Sequence, residues 1–286
     1  MIPTSFDYVR AASVSEVIQL LKSFQGEGKL IAGGHSLVPM MKFRLTTPGT
    51  LIDITAIKEL KGVRKEGNRL VIGALTTYAE VLGDPLVAEH LPVLVEGVRQ
   101  IGDIQVRNKG TIGGSIAHAD PAADLPALAL ALDAVVHLHG EDGEEKIPIQ
   151  EFLFGPFITA LPETSLVTAV SFAIPPAEAH STYVKYFHPA SGYAVVGVAA
   201  VASKTPDGVI NHIRIGITGA GDVAFRAEEV EKHLFGNTAS KENIIQASNL
   251  AAADVDMGED LFASGEYRKH LCQVYTERAL RAVLLP

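Results

Sequence analysis

The chain has 286 residues, 47% of them hydrophobic and 20% charged, with a formal net charge of −9 and a pI near 5.6. That length can fill two domains, and the acidic balance argues against sequence-independent nucleic-acid binding, which needs clustered Lys and Arg. The single Cys272 excludes an internal disulfide and any Cys-ligated zinc or iron–sulfur centre within the chain. The opening MIPTSFDYVR lacks an apolar signal region, and the longest purely apolar runs, such as ALALAL and AVVGVAAVA, are far shorter than a membrane span. A soluble, cytoplasmic protein is expected.

In chain order the pattern mixes α and β. Ser13 with Glu16 three residues on reads as a capping box opening a helix over SVSEVIQLLKSF, with Val14, Val17, Ile18 and Leu21 on one face. KLIA, LIDI and RLVIGAL read as strands, and LPVLVEGVRQI as a helix with Pro92 in its first turn. Asp124 stands before LPALALAL as a candidate helix cap. AVVHL and SLVTAVSF return to strand, and the consecutive prolines of AIPPAEAH mark a domain boundary. Beyond it TYVKYF, AVVGVAAVAS and GVINHIRIGI read as strands, the last two joined by a Pro206-Asp207-Gly208 turn. Helices follow over AEEVEKHLFG, KENIIQASNLAAA and the C-terminal GEYRKHLCQVYTERALRAVLL.

Two segments pair a Gly-Gly with a following helix: KLIAGGHSLVPMMKFRL (29–45) and RNKGTIGGSIAHADPAADLP (107–126). Glycine tolerates the backbone angles and close approach that let successive N–H groups face an anion. Ser36, Thr111 and Ser115 add hydroxyl donors, so two such loops could grip both sides of one pyrophosphate. Taken alone, each pair reads more readily as a strand-ending turn, since glycine is the usual turn residue. Neither segment has the Walker Gly-Lys-Ser/Thr or the Rossmann spacing.

Other features read as structure. His118 and Asp120, even with His137 and His139, lack a hydrolase signature and point to no metal site. GITGAGD reads as a turn, GEDGEE as a solvated hairpin loop, and Tyr267, Leu271 and Tyr275 as core positions at helical spacing.

AGGHSLVPMMKFRL, IGALTTYAEV, IGDIQVRNKGTIGGSIAHADPAADLPALALAL and YAVVGVAA together resemble the FAD-binding medium subunit of the molybdenum hydroxylases. That family includes the carbon monoxide dehydrogenase flavoprotein and the flavin segment of xanthine dehydrogenase. The resemblance implies an α+β fold: a two-part FAD-binding domain of the vanillyl-alcohol oxidase (PCMH) type over residues 1–175, with subdomains of about 1–54 and 55–175. A smaller C-terminal α/β domain of the CO dehydrogenase flavoprotein type follows over 176–286.

Carried over residue by residue, the resemblance places Ala32, Gly33, Gly34, His35 and Ser36 on the FAD pyrophosphate, with Lys29 adding charge. Thr111, Gly113, Gly114 and Ser115 match the second loop, Ser115 standing where some relatives have Asn. Asp124 matches a carboxylate contacting the flavin nucleotide, Lys185 and Tyr193 positions near the isoalloxazine, and Val167 a backbone-type contact. The implied function is electron transfer by noncovalent FAD, with no catalytic side chain in this chain. The molybdenum cofactor belongs to a large partner subunit and the [2Fe-2S] clusters to a small one, assembled as a dimer of heterotrimers. A self-sufficient FAD-dependent oxidase of the same fold is the alternative.

Overall fold

The computed structural model describes residues 2–285. Its first unit runs β1 (Asp7–Arg10), α1 (Val14–Phe24), β2 (Gly28–Ile31), α2 (Leu37–Lys42) and β3 (Thr50–Asp53). The strands are parallel in the order β1-β3-β2, so β1 and β2 each align with β3 between them. Helix α1 buries Val14, Val17 and Leu21, while Ile18 is only half-buried. Ser13 caps α1 by accepting the Glu16 N–H at 3.2 Å. The Glu16 carboxylate returns to the Ala12 N–H at 2.7 Å, so the reciprocal half of the expected box falls one residue early.

The second unit opens with a 3-10 turn, Lys58–Leu60, and the strands β4 (Val63–Glu66) and β5 (Arg69–Gly73). Six helices follow: α3 (Tyr78–Gly83), α4 (Pro85–His90), α5 (Pro92–Arg99), α6 (Ile104–Arg107), α7 (Ile112–His118) and α8 (Asp124–Ala131). It continues with β6 (Val135–Gly140), β7 (Gly143–Pro148), α9 (Ile149–Phe152), β8 (Leu153–Gly155), β9 (Ile158–Thr159) and β10 (Leu166–Ala173). The main sheet is antiparallel, β4-β5-β10-β6-β7. Strand β7 takes Gly143, Glu144 and Glu145 out of the expected GEDGEE loop and leaves a two-residue Glu141-Asp142 turn. Its charged, exposed side chains suit a sheet edge, where they discourage pairing with another chain.

The third unit is the antiparallel sheet β11 (His180–Phe187), β12 (Ala194–Lys204), β13 (Ile210–Thr218) and β14 (Phe225–Arg226), followed by α10 (Glu228–Leu234), α11 (Lys241–Ser248) and α12 (Gly265–Leu284). Strand β12 is buried at every position but its last, because both faces of this sheet are covered. Helix α12 lies on one face, and α8 with α5 from the second unit lies on the other. The expected turn is present: Gly208 takes φ +81° and donates to the Thr205 carbonyl at 2.9 Å. Along α12, Leu271 is buried, but Tyr267 is 41% exposed and meets Tyr186 edge-on at 6.4 Å, which corrects its reading as core. It occupies the first turn, at the rim of the packed face.

Helix α8 is the pivot. All eight of its residues are buried, since one side faces the second unit's core and the other the third unit's sheet. At about 1.5–3 kcal/mol per large apolar side chain removed from water, this helix contributes a large share of what ties the units together. The approach is close: a Cβ added to Gly216 of β13 would overlap the Ala127 carbonyl oxygen and lie 2.9 Å from its carbon. Just beyond α8, Asp133 accepts from Arg214 at 2.8 Å and Arg226 at 2.9 Å. Gly216→Ala should therefore destabilise the chain by about 1–3 kcal/mol, the cost of overpacking. Gly83→Ala, where a Cβ meets nothing within 4 Å, should be neutral or slightly stabilising. Thermal unfolding of the two variants checks this.

Candidate functional site

The two glycine-bearing segments meet in space. Strand β2 ends at Ile31, and the chain turns through Ala32, Gly33 and Gly34 before α2. Gly34 has φ +70°, the left-handed region that glycine adopts without strain. A Cβ at Gly33 would overlap the carbonyl oxygen of Lys109 and lie 2.5 Å from its carbon. The first pair is thus glycine because the second segment is seated on it.

Between them opens a cleft of about 530 Å³, walled by Ala32, Gly33, Gly34 and His35 on one side and by Asn108, Lys109 and Thr111 on the other. Along the first segment the backbone N–H groups of Gly33, Gly34, His35, Ser36 and Leu37 have no acceptor among the described residues; Gly33, Gly34 and His35 line the cleft, whereas Ser36 and Leu37 do not. Ser36 stands at the start of α2 with its side chain free of any capping bond. This segment therefore carries a run of unengaged donors, which suits an anion.

The second segment differs from the expectation of open N–H groups. Ile112 N–H donates to Thr76 O at 3.0 Å, Gly113 N–H to Ala74 O at 2.9 Å, and Gly114 N–H to the Thr111 hydroxyl oxygen at 3.1 Å. The Ile112 and Gly113 donors dock α7 just beyond the end of β5, and the Gly114 donor is taken by the helix's own cap, Thr111. Gly113 is glycine for that packing, since a Cβ would lie 2.8 Å from Ala74 Cα. Gly114 is exposed and its Cβ would meet only the Thr111 side chain. Ser115 lies beside the buried Tyr78 phenol, which burial pushes up and Ser115 pulls back.

The remaining expected residues lie outside this cleft. Lys29 is exposed on β2. Burial pushes the His118 imidazole down, Asp120 opposes this, and the Lys29 charge adds to it. Val167 is buried in β10 beside a bulge, next to Thr168, whose carbonyl accepts from Ala74. Asp124 is the first helical residue of α8 rather than its cap, because Ala123 holds the cap position. Its carboxylate instead crosses to β11, accepting from the Tyr183 hydroxyl and, at 2.9 Å, from Lys185 Nζ.

That pair is fully enclosed, with side-chain exposures of 0% for Lys185 and 5% for Asp124. Lys185 also donates to the Gln100 carbonyl at 3.3 Å and lies 4.8 Å from the Phe187 ring centre. Burial pushes the Asp124 carboxyl above the usual carboxylate range, while Lys185 and Tyr183 oppose it. Tyr193 lines a second, smaller cleft of about 310 Å³ with His188 and Arg268. Burial, then the Asp120 and Asp124 charges, push its phenol up.

The sequence reading missed Thr55, Thr77 and the three lysines Lys42, Lys61 and Lys109, all on the cleft wall. Lys42 and Lys109 lie inside the two quoted segments, where charge near a glycine pair was the available signal. Lys61 carries no local signal, because only the fold brings the 3-10 turn against the first loop.

Comparison with known proteins decides which anion-binding fold this is. The family described as FAD binding domain in molybdopterin dehydrogenase matches residues 4–176, and CO dehydrogenase flavoprotein C-terminal domain matches residues 182–283. The chain belongs to the FAD-binding medium subunits of the carbon monoxide dehydrogenase and xanthine dehydrogenase family. It is 39% identical to the carbon monoxide dehydrogenase medium chain of Hydrogenophaga pseudoflava, over 99% of this chain and 98% of that one. It is 36% identical to the 6-hydroxypseudooxynicotine dehydrogenase complex subunit alpha of Paenarthrobacter nicotinovorans, over 99% and 96%. A solved carbon monoxide dehydrogenase from H. pseudoflava, lacking the Mo-pyranopterin moiety of its molybdenum cofactor, superposes with TM-score 0.96, covering 99% of this chain and 98% of that one.

The residues fit the FAD of this family: an unengaged N–H run, a wall that excludes any Cβ, and lysines at the cleft are what a diphosphate requires. The buried pair away from the cleft is testable by itself. Lys185→Met or Asp124→Asn alone should cost about 3–5 kcal/mol, because each leaves a buried group unpartnered, and the double variant should cost less than the sum. Urea unfolding of the three variants measures this.

Proposed function

We propose that this chain is the FAD-carrying electron-transfer subunit of a molybdenum hydroxylase complex, holding FAD noncovalently. The partners are a large subunit with the molybdenum cofactor and a small subunit with [2Fe-2S] clusters, assembled as a dimer of heterotrimers in the cytoplasm. FAD, when bound, supplies the exchange of two electrons singly or together, which links one-electron and two-electron carriers. With one cysteine the chain has no means of holding the clusters itself, and its match to medium subunits over nearly its whole length favours the relay over a self-sufficient oxidase.

The single observation that carries the reading is the junction of Gly33 and Lys109, which forms the diphosphate cleft in a chain matched to the family over nearly its whole length. In it, the N–H groups of Gly33 to Ser36 hold the diphosphate and the Thr111 hydroxyl closes the far wall. Ser115 and Tyr193 lie further along, toward the boundary between the proposed 1–175 and 176–286 domains. There Asp124 and Lys185 set the position of β11 against α8, and Val167 supports the end of α7 from β10. Lys29 contributes through its charge near His118. The substrate is set in the large subunit; relatives named for carbon monoxide and for 6-hydroxypseudooxynicotine share this scaffold.

Acid precipitation of the purified chain should release its flavin into the supernatant, where chromatography identifies FAD. Flavin left in the pellet, FMN, or no flavin would contradict the reading. Gly33→Ala should lower flavin content at least about tenfold while far-ultraviolet circular dichroism stays unchanged, because a methyl parts the two segments. The chain alone should not turn over carbon monoxide, purines, aldehydes or N-heterocycles, whereas the assembly should take one of these classes.

A further inference from the structure

The second cleft, of about 310 Å³, has one Lys or Arg side chain on its wall, Arg268 of α12. Nη1 of Arg268 donates to the Val195 carbonyl at 2.9 Å and to the Gly219 carbonyl at 2.6 Å. Nη2 donates to Asp260 Oδ2 at 2.7 Å, and the buried Nε has no acceptor among the described residues. Packing alone gives no reason for an arginine here. The side chain is buried and stands in the first turn of α12, where the helix dipole disfavours a cation. Its charged partner Asp260 is half-exposed, so the ion pair offsets little of this. The unpartnered N–H adds a desolvation cost, and an apolar side chain would avoid both. What the arginine gains lies in the three segments it joins.

The first segment is the start of β12, where Ala194 N–H donates to the Ala122 carbonyl at 3.3 Å. The second follows the end of β13, where Gly219 takes φ +84° and donates its N–H to the Pro121 carbonyl at 2.9 Å. A Cβ on Gly219 would lie 2.5 Å from the Ala194 carbonyl oxygen and 2.8 Å from that of Val195. Carbonyls crowd this point, and one nitrogen of Arg268 holds the Val195 and Gly219 oxygens together. The third segment is the turn ahead of α12. Asp260 Oδ1 accepts from the Phe262 and Ala263 N–H groups, both at 2.8 Å, and the Phe262 ring packs on His188 at 4.6 Å between centres. His188 and Tyr193 close one loop, His188 N–H donating to the Tyr193 carbonyl at 2.8 Å. Arg268 therefore reaches the Tyr193 loop twice, along the chain through Val195 and across space through Asp260 and Phe262. Tyr193 is 44% exposed, so the loop that carries it, and not packing alone, sets its ring.

We propose that Arg268 is a positioning residue: by holding Val195, Gly219 and Asp260 together it fixes Tyr193 and the second cleft for the ring end of the bound flavin. The proposal rests on the FAD reading above, with Tyr193 toward the isoalloxazine as the family resemblance implies. It adds a residue of the C-terminal helix that lies outside the diphosphate cleft and acts only through Tyr193.

The test uses the full chain with FAD bound and reads the two-electron midpoint potential and visible spectrum of the flavin beside flavin content. Arg268→Met and Tyr193→Phe should each move the potential in the same direction by at least about 30 mV, a tenfold change in the reduction equilibrium. The double variant should move it no further than Tyr193→Phe alone, because Arg268 acts through Tyr193. Arg268→Lys, which keeps a donor for the carbonyls, should recover part of the shift. Flavin content should stay near the parent's, since the diphosphate cleft is lined by residues 32 to 111 only. Should Arg268→Met fail to fold, Asp260→Asn keeps the acceptor for Phe262 and Ala263 without the charge, and should give a smaller shift of the same sign. Additive shifts in the double variant would overturn the proposal. So would a Tyr193→Phe protein, or folded Arg268 and Asp260 variants, with the parent's potential and spectrum. A chain without flavin would remove the FAD reading instead. In that case the tyrosine ring resonance lost in Tyr193→Phe decides: moved in Arg268→Met or Asp260→Asn it supports the clamp, and unmoved it overturns it.

Discussion

The backbone of Gly33 lies against the carbonyl of Lys109 with no room for even a Cβ, and the site exists only because those two segments touch. One segment leaves the parallel sheet of the first unit, and the other leads into α7 on the antiparallel sheet of the second. Each is anchored on its own side. Gly34 turns the first into α2 with a left-handed φ, and the N–H groups of Ile112, Gly113 and Gly114 fix the second to the end of β5 and to Thr111. The two glycine pairs look alike as letters and act differently. The first leaves its donors unengaged, while the second uses them for packing.

The same economy governs the junction with the C-terminal sheet. Helix α8 has no polar face, so it is stable only between two covers, and Gly216 lets β13 approach its backbone. A polar contact inside such a layer must be satisfied or it costs several kcal/mol. Asp124 is satisfied by Tyr183 and Lys185, and the Thr218 hydroxyl donates to Ala123 O at 2.7 Å. Glu96 of α5 accepts from Tyr183 N–H at 3.0 Å, adding a second crossing between the units. The region where Tyr193, Asp120 and Asp124 share a neighbourhood is therefore held by both units, whereas the cleft belongs to the first two alone.

Much of this was legible in the sequence, and for physical reasons. Long apolar strands such as β10, β12 and β13 declare themselves, as do the amphipathic helices α1 and α5. Short elements do not. The Thr77 and Glu80 side chains form a complete capping box, yet the helix it opens has six residues and too few turns to show a periodicity. Strand β7 carries charges on both faces and reads as a loop until β6 is seen beside it. Asp124 reads as a cap because carboxylates favour that position, and only the fold reveals Lys185 across the junction. The Gly-Gly pattern located the two segments and family resemblance assigned them to FAD, but Lys61 becomes a wall of the cleft through a contact that no local pattern encodes.

The most direct test of the central claim is an experimental structure of the chain with FAD bound. The diphosphate oxygens should accept from the N–H groups of Gly33 to Ser36, while Ile112, Gly113 and Gly114 keep their acceptors in Thr76, Ala74 and Thr111. A diphosphate bound instead to the N–H groups of Ile112 to Gly114, with those bonds broken and the Gly33 segment unliganded, would contradict the account.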